Sequence, residues 1–343
     1  MAKARVFNIV KRFSGYPVEQ DFELVEQQLK PLQDGEVLGK TLYLSVDPYM
    51  RIYVRNLPLG SPMIGGAVAR IVESKNPQFK VGDIVYGRIG WRTAFVSDGK
   101  DLTKATHLPA DVPESLAIGT LGMPGRTAYF GLLDVCKPLN PGAVVLVNGA
   151  AGAVGNVVGQ IAKIKGCVAI GYAGSDEKVE YLKSIGFDHA FNYKKVDIHE
   201  SLSKAAPDGV DAFFDNVGGD FADTVILRHM KQFGRVAICG SISQYNLKPE
   251  SEAEGGKGLF DAVTKGPRLQ GAILGHQLKV EGFIVLRFAD RNDEANSALA
   301  QWVKEGKLKW REHVTEGFEN MPKAFIAMLK GANIGKAIVK NTE

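Results

Sequence analysis

The stretch VVLVNGAAGAVG (144–155) decides how this chain is read. Its apolar, β-branched start suits a buried strand, and in GAVGNVVGQIAKIK (152–165) Val154, Val157, Val158 and Ile161 fall at helical spacing. Between the two, Ala150, Gly152 and Gly155 occupy the three positions of a G-x-G-x-x-G fingerprint, with alanine replacing the first glycine. A pyrophosphate needs such a tight turn, a backbone position beside it without a side chain, and a helix N-terminus offering N–H groups. The same glycines also suit a purely structural turn, so context has to decide. Gly142–Ala162 carries no charge and is nearly long enough to span a bilayer. The polar turn in its middle and its change of period favour strand–turn–helix over a membrane span.

Working outward, the context is a β–α rhythm. CVAIGY (167–172) reads as a second strand followed by the helix DEKVEYLKSIG (176–186). AFNY (190–193), VDAFFDNV (210–217), GRVAICG (234–240) and EGFIVLRF (281–288) read as strands three to six. Strands alternating with helices imply a parallel sheet, and six of them match a doubly wound Rossmann domain, placed at 124–305. The first ~120 residues differ, with short strands such as GEVLGKTLYLSV (35–46), GGAVARIVES (65–74) and KVGDIVYGR (80–88). KLKWREHV (307–314) reads as a strand again. The expected architecture is α/β: a Rossmann domain set into a discontinuous, mostly β domain at 1–123 and 306–343.

Composition narrows the chemistry. The 343 residues carry a net charge of +4, too little to indicate a nucleic-acid binder. Lys3, Arg5, Lys11 and Arg12 near the start are followed by no apolar run, so no signal peptide and a cytoplasmic location are expected. The 3 cysteines, Cys136, Cys167 and Cys239, are widely separated and fit neither a disulfide framework nor a structural zinc site. The six histidines (His107, His189, His199, His229, His276 and His313) are scattered. There is no G-x-S-x-G elbow, H-E-x-x-H helix, Walker A loop or Tyr-x-x-x-Lys pair. A nicotinamide enzyme without a metal or an obvious base suits reduction of an already polarised double bond.

The second strand selects the nucleotide. An NAD site places Asp or Glu near its end, for the ribose 2′-hydroxyl. Here the strand runs out in GYAGS (171–175), and Asp176 and Glu177 are expected in the first turn of the next helix, behind Ser175. Lys178 and Tyr193 can then meet a 2′-phosphate, although a solvated helix face also explains Lys178. NADP(H) is the expected cofactor.

VDPYMR (46–51), GMPGRTAYFGLL (122–133), NGAAGAVGNVVGQIAKIKGC (148–167), GSDEKVEYLKSIGFD (174–188), FDNVGG (214–219), CGSISQYN (239–246) and GFENMPKAF (317–325) resemble the zinc-independent medium-chain dehydrogenase/reductases. Within them the chain is similar to the family of prostaglandin reductases, leukotriene 12-hydroxydehydrogenases and alkenal double-bond reductases. The resemblance runs nearly end to end. It implies a GroES-like catalytic domain beside the Rossmann domain, a homodimer, and NADPH-dependent reduction of the carbon–carbon double bond of α,β-unsaturated aldehydes and ketones. It places the pyrophosphate on Gly152, Ala153, Val154 and Gly155, and the 2′-phosphate near Lys178 and Tyr193. Thr127, Asn216, the run Cys239, Gly240, Ser241, Ile242, Ser243 to Tyr245, then Phe283, Ile284, Val285 and Asn333 would surround the nicotinamide and its ribose. Tyr245 would be catalytic, donating a hydrogen bond to the enolate formed when hydride reaches the β-carbon; its alternative role is to anchor its own loop. Tyr49 and Arg51 would lie on the substrate side, Arg51 equally suited to pairing with an acid. The family implies no metal. Quinone reduction, or NADPH binding without turnover, are the alternative functions. Residues 247–280 are longer and more charged than is usual in the family and suggest an enlarged, glycine-rich lid.

Overall fold

The computed structural model describes residues 2–247 and 266–342. Residues 248–265, on which much of the expected lid falls, lie outside the described residues. Two compact units emerge, one reaching from the N-terminus to Gly119 and resuming at Glu312, the other running from Thr120 to Arg311.

The first unit is built on a seven-stranded sheet. Its path runs Glu312–Glu316, Lys336–Lys340, Val37–Ser45, Ala67–Ser74, Ile84–Gly87 and Leu102–Lys104, with Ala94–Ser97 also paired to Val37–Ser45. All pairings are antiparallel except that of Glu312–Glu316 with Lys336–Lys340. A hairpin of Lys3–Ile9 and Phe22–Gln28 adds an aromatic core in which the fully buried Trp91 stacks on Phe22 at 5.3 Å and meets Phe325 edge-on at 5.8 Å. Lys336, also buried, lies 3.1 Å from Asp47 and donates to the carbonyls of Val46 and Ala337, both at 2.8 Å. Paired and fully bonded in this way, the ion pair ties the last strand to the start of VDPYMR.

The second unit contains six parallel strands, numbered here within the unit: β1 Val144–Val147, β2 Val168–Ala173, β3 His189–Asn192, β4 Val210–Asp215, β5 Met230–Ile238 and β6 Lys279–Gly282. They are arranged β3-β2-β1-β4-β5-β6. That is the order of a doubly wound dinucleotide fold, whose switch point lies between β1 and β4. Its helices are α1 Met123–Phe130, α2 Gly155–Ile164, α3 Asp176–Ser184, α4 Ile198–Ala205, α5 Gly219–Arg228, α6 Gln270–Gly275 and α7 Asn292–Lys304. The α/β reading therefore stands.

Two boundaries are corrected. The sixth strand ends at Gly282, not at 288: β6 pairs with β5 only as far as Gly282 opposite Ile238, and Val285–Arg291 forms 3-10 turns. KLKWREHV becomes strand only from Glu312, where pairing with Lys336 begins.

Candidate functional site: a dinucleotide cradle at the switch point

The turn after β1 is held by its own backbone. Ala150 N–H donates to Tyr172 O on β2 at 3.0 Å, and Gly152 N–H to Gly149 O at 3.0 Å. A Cβ on Gly155 would stand 2.5 Å from Gly149 O and 2.7 Å from Ala150 Cα, so the last fingerprint glycine is required by close helix–turn packing. At Gly152 the only atom near an added Cβ would be Gly149 O, at 3.2 Å; the rest is open. Val154 precedes α2 with no side-chain cap, and among the described residues the N–H groups of Ala153, Val154 and Gly155 have no protein acceptor. Orphan N–H groups beside an open glycine at a helix N-terminus are what a diphosphate takes.

At the end of β2 the acid is turned away. Ser175 caps α3, its Oγ accepting Lys178 N–H at 3.4 Å. Asp176 accepts from Asn192 Nδ2 at 2.8 Å and from Lys195 Nζ at 2.5 Å, and these partners hold its carboxyl below the usual range. The exposed Tyr193 lies beside Gly174, where an added Cβ would come within 3.2 Å of its hydroxyl. Lys178 is half-buried. Its pKa is pushed down first by burial and then by Lys194, against the pull of Glu177. Two lysines and a phenol gather at this strand end, a grouping with the charge to suit a 2′-phosphate; Lys194 is the one that the sequence reading did not single out.

Across the switch point, side chains take over from backbone. Asp215, buried at the end of β4, accepts at one oxygen from Asn148 Nδ2 (2.6 Å), Val217 N–H (2.9 Å) and Gly218 N–H (2.8 Å). Burial pushes its carboxyl pKa up, opposed by these donors. Asn148 in turn accepts Asn216 N–H at 2.7 Å and, through its carbonyl, Asn216 Nδ2 at 2.9 Å. The loop after β5 locks onto this frame: Cys239 N–H donates to Asp215 O at 2.8 Å, Ile242 N–H to Asn216 O at 3.3 Å, and Ser243 Oγ to Val217 O at 2.6 Å. Desolvation pushes the Cys239 thiol up to about 12, so it is not a thiolate at neutral pH. Tyr245 is 8% exposed, and its hydroxyl accepts Ser241 N–H at 3.2 Å and lies over Gly240. Burial raises its pKa, so the phenol keeps its proton. Asn148 and Asp215 were likewise missed; the available signal was that each is the polar residue closing one of the two strands that flank the switch.

The remaining candidates divide between the units. Thr127 is buried in α1 with its hydroxyl donated to Met123 O at 2.8 Å. Phe283 is buried edge-on to Phe214 at 6.0 Å, whereas Ile284 is exposed and Val285 starts the 3-10 turns. In the first unit, Tyr49 starts the short helix Met50–Tyr53 with its phenol pKa raised by burial and by Asp47. Arg51 is buried, and Asn333 Nδ2 donates to Gly335 O at 2.8 Å. No group of three or more His, Cys, Asp or Glu that could hold a metal occurs among the described residues.

Comparison with known proteins places the chain in a family. Residues 5–105 match a family model described as the N-terminal domain of oxidoreductase, and residues 153–290 one described as zinc-binding dehydrogenase. The chain is 53% identical over 343 residues to prostaglandin reductase 1 of Rattus norvegicus, covering 99% of this chain and 100% of that protein. It is 41% identical to the 2-alkenal reductase (NADP(+)-dependent) of Nicotiana tabacum, covering 96% of each. The crystal structure of CurA in complex with NADPH from Vibrio vulnificus superposes with a TM-score of 0.88 at 35% identity, covering 99% of both chains. The chain belongs to the zinc-independent medium-chain dehydrogenase/reductases, in the group that contains the prostaglandin and alkenal reductases.

Proposed function

We propose that this protein is an NADPH-dependent reductase of carbon–carbon double bonds conjugated to a carbonyl, taking 2-alkenals and enones, 15-oxo-prostaglandins among them. The observation that carries the proposal is the end-to-end match to relatives named prostaglandin reductase and 2-alkenal reductase. The strand end at Gly174–Lys178 supports the cofactor, because no acid ends the strand itself and Asp176, in the first turn of α3 with Glu177, is engaged by Lys195 and Asn192. In this reading the second unit binds the dinucleotide and the first contributes the substrate side through Tyr49 and Arg51.

When bound, the nicotinamide supplies a hydride to the β-carbon of the substrate. Negative charge then builds on the carbonyl oxygen, and a positioned donor lowers the barrier to that step. Tyr245 fills this role: Ser241 N–H fixes its oxygen, and its retained proton is the one that is donated. The α-carbon is protonated from solvent or through the same phenol. Thr127, Asn216, Cys239–Tyr245, Phe283–Val285 and Asn333 form the surroundings of the nicotinamide and its ribose.

The protein pairs as a homodimer through the segment that follows β6, where Ile284 and Leu286 are 49% and 56% exposed. Light scattering that shows a monomer at micromolar concentration would exclude this pairing.

The deciding experiment follows oxidation of NADPH and NADH against 2-alkenals, 15-oxo-prostaglandin-like enones and quinones. NADPH consumption with enals and enones is expected. Turnover with quinones alone would assign the protein to quinone reduction, and tight NADPH binding without turnover would make it a binding protein. A preference for NADH would remove the role given to Lys178 and Tyr193.

A further inference from the structure

Two amides are buried on α2, where apolar side chains would pack at less cost. Asn156 and Gln160 stand one turn apart, on one face of the helix, and each is 2% exposed. A buried amide has to find partners for its hydrogen bonds. Those of Gln160 are readily explained. Its Oε1 accepts Lys309 N–H at 2.7 Å and its Nε2 donates to Lys309 O at 2.9 Å, so it pairs with that backbone as a neighbouring strand would. The bonds of Asn156 lead elsewhere, to the dinucleotide turn.

Lys309 also fixes which way both amides face. A backbone N–H only donates, so the Gln160 oxygen is the end that meets it and the Gln160 nitrogen is the other end. That nitrogen lies 3.2 Å from Asn156 O and 3.4 Å from Asn156 Oδ1. The Asn156 oxygen is therefore turned toward Gln160, and its nitrogen toward the turn. Asn156 Nδ2 donates to Gly152 O at 2.6 Å and lies 3.4 Å from Ala153 O, while Asn156 N–H adds a longer bond to Gly152 O at 3.2 Å.

Peptide geometry converts these bonds into an orientation of donors. In a trans peptide the C=O of one residue and the N–H of the next point in opposite directions. The peptides of this turn are trans. Gly152 O, drawn onto α2 by two donors, turns Ala153 N–H away from the helix, and Ala153 O does the same for Val154 N–H. These are two of the three N–H groups of the turn that have no protein acceptor among the described residues. They follow Gly152, where an added Cβ would meet only Gly149 O.

We propose that Asn156 is a positioning residue for the dinucleotide: its side-chain amide, backed by Gln160, holds the peptides of Gly152–Val154 with their N–H groups aimed at the diphosphate. The role rests on the NADPH reading given above, and adds to it a side chain that acts through the backbone rather than on the ligand.

The test follows NADPH binding by fluorescence, and its displacement by ADP-ribose and by adenosine 2′-monophosphate, on the full chain and on Asn156→Ala, Asn156→Leu and Asn156→Ser. ADP-ribose carries the diphosphate without a 2′-phosphate, and adenosine 2′-monophosphate carries the reverse. Alanine and leucine supply no donor, whereas a serine hydroxyl reaches the carbonyl four residues back. The donor-free variants should bind NADPH and ADP-ribose about tenfold more weakly, with adenosine 2′-monophosphate within about twofold of the wild type. Asn156→Ser should recover most of that loss. Leucine keeps the volume that alanine empties, so one folded donor-free variant is enough. Unchanged NADPH affinity in such a variant overturns the proposal. So does an equal loss for all three ligands, which marks a defect of the whole domain, or a serine variant no tighter than the donor-free ones. A wild type that binds neither NADPH nor ADP-ribose overturns the dinucleotide reading itself, and the unsubstituted chain alone reveals that.

Discussion

The two strand ends that frame the switch point are built on different principles. After β1, the turn through Gly149–Gly155 is backbone on backbone, with Ala150 bonded to Tyr172 O and Gly155 pressed against Gly149 and Ala150. After β4 and β5, the loops are held by side chains in a chain of contacts, Asn148 to Asp215 to the 216–218 turn, and Asp215 and Asn216 to 239–245. The first design tolerates almost no change at its glycines but, Asn156 apart, little depends on neighbouring residue type. The second tolerates changes in shape but fails when one polar group loses its partners. Under the proposed function the contrast also separates binding from chemistry: phosphates would be recognised by fixed N–H groups, whereas an enolate would need a donor with its proton in place.

The largest effect tests the backbone side. Gly155→Val puts a branched side chain where even a Cβ is 2.5 Å from a carbonyl oxygen, so neither neighbour can yield. NADPH binding, followed by fluorescence, should weaken at least 100-fold, about 2.7 kcal/mol. Retained affinity in that variant would show that the diphosphate does not lie on this turn.

The side-chain end gives the next largest effects. Asp215→Ala removes the acceptor from three donors at once, and each buried donor left unpaired costs about 1–3 kcal/mol. Its thermal midpoint should fall by more than that of any single change in the exposed Lys195. Tyr245→Phe keeps the ring and deletes the donor, so the rate of enone reduction should fall at least tenfold with NADPH affinity nearly unchanged. If turnover is instead unaltered and only the melting temperature falls, Tyr245 is a loop anchor, a role its bond to Ser241 also allows. Lys178→Ala should raise the KM for NADPH about tenfold, about 1.4 kcal/mol, while leaving NADH unaffected. Equal losses with both cofactors would move the 2′-phosphate away from this strand end.

The same contrast explains what the amino-acid sequence disclosed. The turn at 149–155 is local: its meaning lies in the spacing of Ala150, Gly152 and Gly155, and in apolar runs whose period changes on either side. Ser175 likewise announced the helix that carries Asp176 away from the strand end. Asn148 and Asp215 are 67 residues apart, and nothing in the spacing of either shows that they meet. The catalytic role proposed for Tyr245 rests on family resemblance alone, since a loop tyrosine has no periodicity to read. The overlong sixth strand has a similar cause. EGFIVLRF is apolar enough for a buried strand, yet β5 offers partners only as far as Ile238, and Phe283 turns in against Phe214 instead. Apolar runs report burial, and burial in a strand and burial of a ring at a chain reversal look alike along the chain.

The smallest effect concerns the opposite end of the strands of the same sheet, where neither design operates. His229 directly precedes β5, buried, with Nε2 2.9 Å from Nδ1 of His199 on α4. Burial lowers its pKa below the usual histidine value, His199 and Arg228 add to that, and Asp197 opposes. A folded-state pKa below the unfolded ~6.5 means that the unfolded chain takes up the proton first. The resulting stability is therefore present above pH ~6.5 and is lost as pH falls through that value toward the lower folded pKa. Between pH 7.5 and 5.5 the melting temperature of the wild type should drop more steeply than that of His229→Gln, with the two profiles parallel above pH 7.5. The ratio of NADPH affinities between the two proteins should stay constant across that range, because the cradle lies at the other ends of the strands. A pH-dependent divergence in NADPH affinity would couple the two ends and break the separation between the sheet's proposed binding end and its structural one.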